Sequence, residues 1–256
     1  MSRSPGAVPA SGSCGIGRTV RLADETETQR LRGSRAVVWT TMPDAHPTEV
    51  ESIPLHATHA CLHRVKDSHD GISKRRKLQE LVAYSVNQDY LDEICELRSL
   101  EFLHLGHPVT ATDLAGVSQL ENLHTLRLQS VRHIEDFSPL LSLPRLHTLM
   151  IEHAKHLSDI EFLSGAHHLR VIGVEGSMWT HQRVASLQPL SGLRNLEALF
   201  MTSVRLKDKD LTYLAGCPKL RILDCARFAP KRSFDALRAA MPDLACSWCD
   251  DYEINF

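Results

Sequence analysis

Residues 120–128 read Leu-Glu-Asn-Leu-His-Thr-Leu-Arg-Leu, with leucine at the first, fourth, seventh and ninth places. In the second half, Leu126 and Leu128 alternate with Thr125 and Arg127, the pattern of a short strand with one buried and one open face. The same four apolar places recur in LRSLEFLHL from Leu97, LPRLHTLMI from Leu143, AHHLRVIGV from Ala166, LRNLEALFM from Leu193 and CPKLRILDC from Cys217. Upstream, KRRKLQELVA fits through Leu78, Leu81 and Ala83, and HACLHRV is a degenerate version with Ala60 and Leu62. Downstream, MPDLACSWC puts Met241, Leu244, Ser247 and Cys249 in those places.

The seventh places, Leu81, Leu103, Leu126, Leu149, Ile172, Leu199, Leu223 and Ser247, are spaced by 22, 23, 23, 23, 27, 24 and 24 residues. Such a period predicts stacked units, each too small to bury its apolar face alone. The pattern resembles the leucine-rich-repeat family, in the manner of a solitary bacterial-type repeat protein. The nearest class in period is the twenty-two-residue one of internalins and a regulatory subunit of protein phosphatase 1. The resemblance covers about residues 58–256. It implies an α/β solenoid, a horseshoe with a parallel β-sheet on the concave face and short helices or 3-10 turns on the convex face. It also implies non-catalytic protein binding, and the phosphatase relative implies a protein that positions or restrains an enzyme. No residue here matches a motif specific to that last role.

One feature departs from the family pattern. An Asn is usual three residues after the last strand leucine, where its amide satisfies turn backbone; here those places hold Val65, Val86, Pro108, Val131, Ala154, Ser177, Val204 and Phe228. The leucine lattice does not depend on it, but the turn amides need other partners. On the convex side, Asp113, Asp136, Asp159, Ser186 and Asp210 each stand seven residues before the next rung's first apolar place. An oxygen there can accept from the free amides that open a short helix or 3-10 turn.

Composition sets the remaining bounds. The 256 residues are 43% hydrophobic but only 5% aromatic, so the apolar content is mostly leucine, as a repeated packing unit requires. A formal net charge of −2 leaves no electrostatic footprint for nucleic acid or an anionic membrane. Residues 1–20 lack the apolar run of a secretory signal, and no stretch is long enough to span a bilayer. A cytoplasmic, monomeric protein is expected. Residues 1–45 are aperiodic and rich in Ser, Arg, Gly, Ala and Pro, and read as disordered; Met42 is a plausible alternative start. Residues 46–75 are expected to cap the solenoid and residues 76–256 to form its repeat domain.

Candidate chemistry is sparse. Cys246-Ser-Trp-Cys249 has the spacing of redox dithiols and zinc sites, but strand alternation puts the two thiols on opposite faces, with Cys249 and Cys225 as small core residues. His59, Cys61 and His63 alternate on the open face of the first strand, with Glu80 and His104 on later rungs. They offer an alternative reading as a metal-binding or metal-sensing protein, although same-face neighbours ~7 Å apart close poorly on one ion. The run Lys74–Lys77 reads as a solvated convex face. No catalytic triad order, phosphate loop or carboxylate pair occurs in a setting that would make a pocket, so neither an enzyme nor a cofactor is expected.

The concave face carries the strongest functional signal. Open sheet faces are normally polar, yet counting alternate strand residues turns Phe102, Met150, Val171, Phe200, Ile222 and Trp248 outward. His104 and Arg127 share this face, and Glu152, Glu175, Asp224 and Asp250 give its C-terminal part an acidic margin. An apolar stripe with charged rims predicts a docking surface for an unidentified protein that presents apolar groups flanked by basic ones. The long rung adds a loop that carries Met178 and Trp179.

Overall fold

The computed structural model describes residues 29–33, 47–177 and 179–253. These form ten strands: β1 (His59–His63), β2 (Glu80–Val86), β3 (Phe102–Val109), β4 (Thr125–Gln129), β5 (Thr148–Glu152), β6 (Val171–Glu175), β7 (Gln182–Val184), β8 (Ala198–Met201), β9 (Val204–Leu206) and β10 (Ile222–Cys225). They also form helices α1 (29–33), α2 (Gln88–Cys95), α3 (Lys231–Ala240) and α4 (Ser247–Asp250). Eight strands make one parallel sheet in the order β1-β2-β3-β4-β5-β6-β8-β10, and β7 pairs with β9 in a second, two-stranded sheet. Each rung is therefore a strand, a turn and a convex connection. Most connections are short 3-10 turns, and α2 and α3 serve as longer ones.

The repeat lattice explains the core. Leu81, Leu103, Leu126, Leu149, Ile172, Leu199 and Leu223 occupy the same inward place of successive strands, and all are fully or almost fully buried. Leu100, Leu123, Leu146, Leu169, Leu196 and Leu220 fill the layer before the strand, so one continuous interior runs the length of the solenoid. Register follows the repeat residue for residue: Glu80 pairs with Phe102, Phe102 with Thr125, Thr125 with Thr148 and Thr148 with Val171.

The convex turns are capped at the expected places. The amides of Ser138, Glu161, Gln188 and Thr212 donate to Asp136, Asp159, Ser186 and Asp210 at 2.8 to 2.9 Å, and that of Ala115 donates to Asp113. The Ser138 amide holds the Asp136 carboxyl below the usual carboxylate range, and the Thr212 hydroxyl, with its amide, does the same for Asp210.

In place of an asparagine ladder, inter-rung backbone bonds satisfy much of the turns. Examples are Thr110 N–H to the Val86 carbonyl at 2.7 Å and His153 N–H to the Glu175 carbonyl at 2.9 Å. Two glutamines add side-chain bonds to these turns. The Gln88 carbonyl oxygen accepts from Thr112 and Asp113. Buried Gln182 accepts from Ala154 N–H at 3.1 Å and donates to the Leu157 carbonyl. The long rung thus adds strand β7, whose glutamine mends the turn of the rung before it.

Three expectations change. The segment 1–45, read as disordered, includes α1, which is helical and packed; the remainder of it, Met42 included, lies outside the described residues. Within Lys74–Lys77, Arg75 is half-buried rather than solvated, donating to the carbonyls of Ile53 and Val50 and so tying the N-terminal turn to the first rungs. The last rung is no strand. Ala245, not Cys246, bridges to Ile222, and residues 247–250 curl into α4. Among the described residues no strand follows β10, and Trp248, Tyr252 and Phe234 pack together over the end of the core.

Candidate functional site

The concave face is built from the odd places of each strand. Cys61, Val82, His104, Arg127, Met150, Gly173, Phe200 and Asp224 form one row across the sheet, and Val171, Ala198 and Ile222 belong to the row beside it. Gly173 matters locally. A Cβ there would meet Met150 Cε at 2.2 Å and Sδ at 2.6 Å, so the missing side chain is what lets the Met150 thioether lie across the next rung.

Met150, Val171, Ala198, Phe200 and Ile222 form a cluster separate from the interior core, and its sixth member is Leu31 of α1, only 1% exposed. The stripe predicted to face solvent is therefore covered: Phe200 and Ile222 are 0% exposed, and Met150 and Val171 are nearly so. Charges flank the contact. Arg30 lies 3.6 Å from Glu197, which Arg170 also grips through two bonds of 2.7 and 3.0 Å, and Arg32 lies 3.7 Å from Asp224.

Magnitudes show which contact dominates. A buried leucine contributes ~1.5–3 kcal/mol, and the apolar floor it covers a similar amount. Each half-exposed ion pair adds ~0.2–1 kcal/mol. Ordering a five-residue segment costs ~1–2 kcal/mol per residue. A helix this short has no stability of its own. The two sides are of the same order, so α1 is held by Leu31 on its floor, and the balance is close enough for it to be displaced.

The other predicted residues spread around this patch. His104 is 8% exposed beside the Tyr84 ring, and burial, with Arg127 nearby, pushes its imidazole down to about 4. Phe102 is half-buried on the N-terminal side. His104, Arg127, Met150, Glu152 and Glu175 line a shallow depression next to the covered stripe. Within it Gln129 donates to Glu152 at 3.3 Å, and the Thr202 hydroxyl donates to Glu175.

Trp179 is 88% exposed on the loop after β6, where its amide donates to Ser177 Oγ; Met178 lies outside the described residues. Trp248 does not face the concave row. Its indole donates to the Cys225 carbonyl at 2.7 Å, beneath Arg227.

The thiols also differ from expectation. Cys246 and Cys249 converge, with Sγ atoms 2.8 Å apart, because helical places three apart share a face whereas strand places three apart do not. Cys246 is the buried one and Cys249 is half-buried. Sulfur-borne hydrogen bonds from Cys225 and Cys249, aided by the amides of Cys249 and Trp248, pull the Cys246 thiol down, and the same contacts push Cys225 and Cys249 up.

The first strand does not gather a metal site. His59 and His63 are exposed while Cys61 is buried, which raises its thiol to about 11 and disfavours the thiolate a metal would need. Among the described residues, three ligand atoms of the metal-binding types come together only at His69, Asp70 and Glu93. There the Glu93 carboxylate accepts from the amides of Gly71 and Ser73 and from the Ser73 hydroxyl, a structural duty.

Sequence reasoning missed Arg30, Leu31, Arg32 and Glu197. The only available signal was a lone leucine between arginines, Arg30-Leu31-Arg32, before Gly33.

A parallel sheet of leucine-lattice rungs with capped convex turns is the leucine-rich-repeat fold, and a solved structure shares it. The chain is similar to an internalin of Listeria monocytogenes at 22% identity and a TM-score of 0.53, covering 66% of this chain and 48% of that one. A leucine-rich-repeat protein of Leptospira interrogans aligns at 18% identity and a TM-score of 0.46, covering 61% and 45%. The chain thus spans about half the length of the internalin. No family model and no curated protein sequence matches it. No helix among the described residues is long and apolar enough to cross a membrane.

Proposed function

We propose that the chain is a non-catalytic protein-binding module whose working surface is the C-terminal half of the concave face. The observation that carries this reading is the separate apolar cluster of Met150, Val171, Ala198, Phe200 and Ile222 on a sheet face that would ordinarily be polar. Apolar side chains there add nothing to the interior core, and they lie beside the carboxylates of Glu197 and Asp224. A surface of that kind suits a protein ligand with an apolar anchor and basic flanks. His104, Arg127, Glu152 and Glu175 form the polar rim, Phe102 extends it, and exposed Trp179 supplies a contact beyond the sheet edge. Trp248 is withdrawn from this surface, since it closes the end of the core. Binding of this type fits a regulator that positions or restrains another protein, acting as a cytoplasmic monomer without cofactor, membrane or nucleic-acid partner.

The test is site-specific photo-crosslinking in the native host, with benzoylphenylalanine at Arg127 on the concave face or at Gln119 on the convex side. A discrete adduct from position 127, lost when Val171→Asp is added and not formed from position 119, is expected. Adducts from position 119 alone, or none from 127, would overturn the reading.

A further inference from the structure

We propose that α1 is an internal surrogate for the partner: the concave site recognises a single helical turn that presents one apolar residue between two arginines, and residues 29–33 occupy it in cis. The inference rests on the reading of the concave face as the binding surface, and it specifies the ligand and its regulation. Among the described residues of the N-terminal segment, Leu31 alone joins the cluster, and it is as buried as an interior leucine. Its neighbours on both sides reach separate carboxylates, Arg30 to Glu197 and Arg32 to Asp224. Apolar depth and two flanking charges at fixed spacing make a three-point recognition pattern. That pattern defines the partner's chemistry as arginine, apolar residue, arginine on one helical turn.

Cis occupancy sets a threshold. A segment on the same chain competes at an effective concentration on the order of mM. A partner in trans must displace it, and its apparent affinity falls by the fraction of time the site is closed. Anything that withdraws α1 raises that affinity without touching the site.

The experiment uses the full chain with carbon-13-labelled methionine methyls, the Met150 resonance being identified by its loss in Met150→Leu. The probe is a synthetic peptide of residues 24–37 of this chain. Leu31 belongs to no part of the interior core, so Leu31→Asp is expected to leave the thermal unfolding of the solenoid in place while shifting the Met150 resonance. Adding the peptide to the Leu31→Asp chain should return the resonance to its original position, at a concentration at least tenfold below any that perturbs the unaltered chain. Peptides carrying Leu31→Asp, or Arg30→Glu with Arg32→Glu, should do nothing. An unmoved Met150 resonance in the Leu31→Asp chain would sink the proposal, as would a peptide that leaves the shifted resonance unchanged up to mM concentration. If crosslinks from position 127 form equally in the unaltered and Leu31→Asp chains, this inference fails and the binding reading stands. If the peptide restores the resonance but position 127 captures nothing in either chain, the site is confirmed as built for α1 and the wider binding role fails.

Discussion

Met150 lies across Gly173, close enough that a Cβ on the glycine would fall 2.2 Å from its terminal methyl. The two residues sit opposite each other on β5 and β6, and together they shape the floor on which Leu31 rests. Gly173→Ala would leave the interior core alone, because the clash falls on the flexible end of one side chain. The methionine tip would instead swing toward Leu31. The expected outcome is little change in unfolding temperature and tryptic cleavage after Arg30 and Arg32 on the order of tenfold faster, equivalent to ~1.4 kcal/mol of lost docking. Limited proteolysis read by mass spectrometry checks it.

Gln182 holds a turn together from the inside. Its buried amide accepts from Ala154 N–H and donates to the Leu157 carbonyl, duties that an asparagine would perform in a more regular rung. Gln182→Leu keeps the volume but leaves both backbone groups buried without partners, at a cost of about 2–3 kcal/mol. A lower urea midpoint with an unchanged slope is the expected result.

His104 makes stability depend on pH. Burial and the nearby Arg127 hold its imidazole down to about 4, against an ordinary value of 6.5. Between those values the unfolded chain binds the proton and the folded chain does not. Its contribution is therefore fully present above pH ~6.5 and is lost as pH falls toward ~4, by up to roughly 3 kcal/mol. His104→Leu should flatten that part of the stability profile in denaturant titrations at a series of pH values.

Cys246 and Cys249 should behave as a pair. With Sγ atoms 2.8 Å apart, they need only a small rotation to bond. Treatment with diamide is expected to remove 2 Da from the folded chain, with the bond mapping to residues 246–249 and no such loss in Cys249→Ser. Peptide mapping without reduction measures this.

Much of the fold could be read from the residues because a repeat states the same instruction many times. Thr125, Thr148 and Val171 align in the sheet as their places in the rung demand, and Asp159 and Ser186 cap the turns their spacing assigns to them. The pattern misled where repetition ends. Cys246 to Cys249 continue the spacing of the rungs, but a last strand has one neighbour fewer to bond with, and helix won over strand there. Gln182 was invisible for the opposite reason: an insertion breaks the period, so no repeat position announces its role.

The solenoid, its register, its convex caps and the apolar side chains on the open face are legible in the residues, since each depends on local alternation and on contacts one rung away. What covers that face follows from long-range packing alone. The docking of Leu31 joins one residue of an aperiodic segment to side chains on four different strands more than a hundred residues later. A contact of that range has no period to read. It exists only because stacked rungs bring Met150, Val171, Ala198, Phe200 and Ile222 to one place.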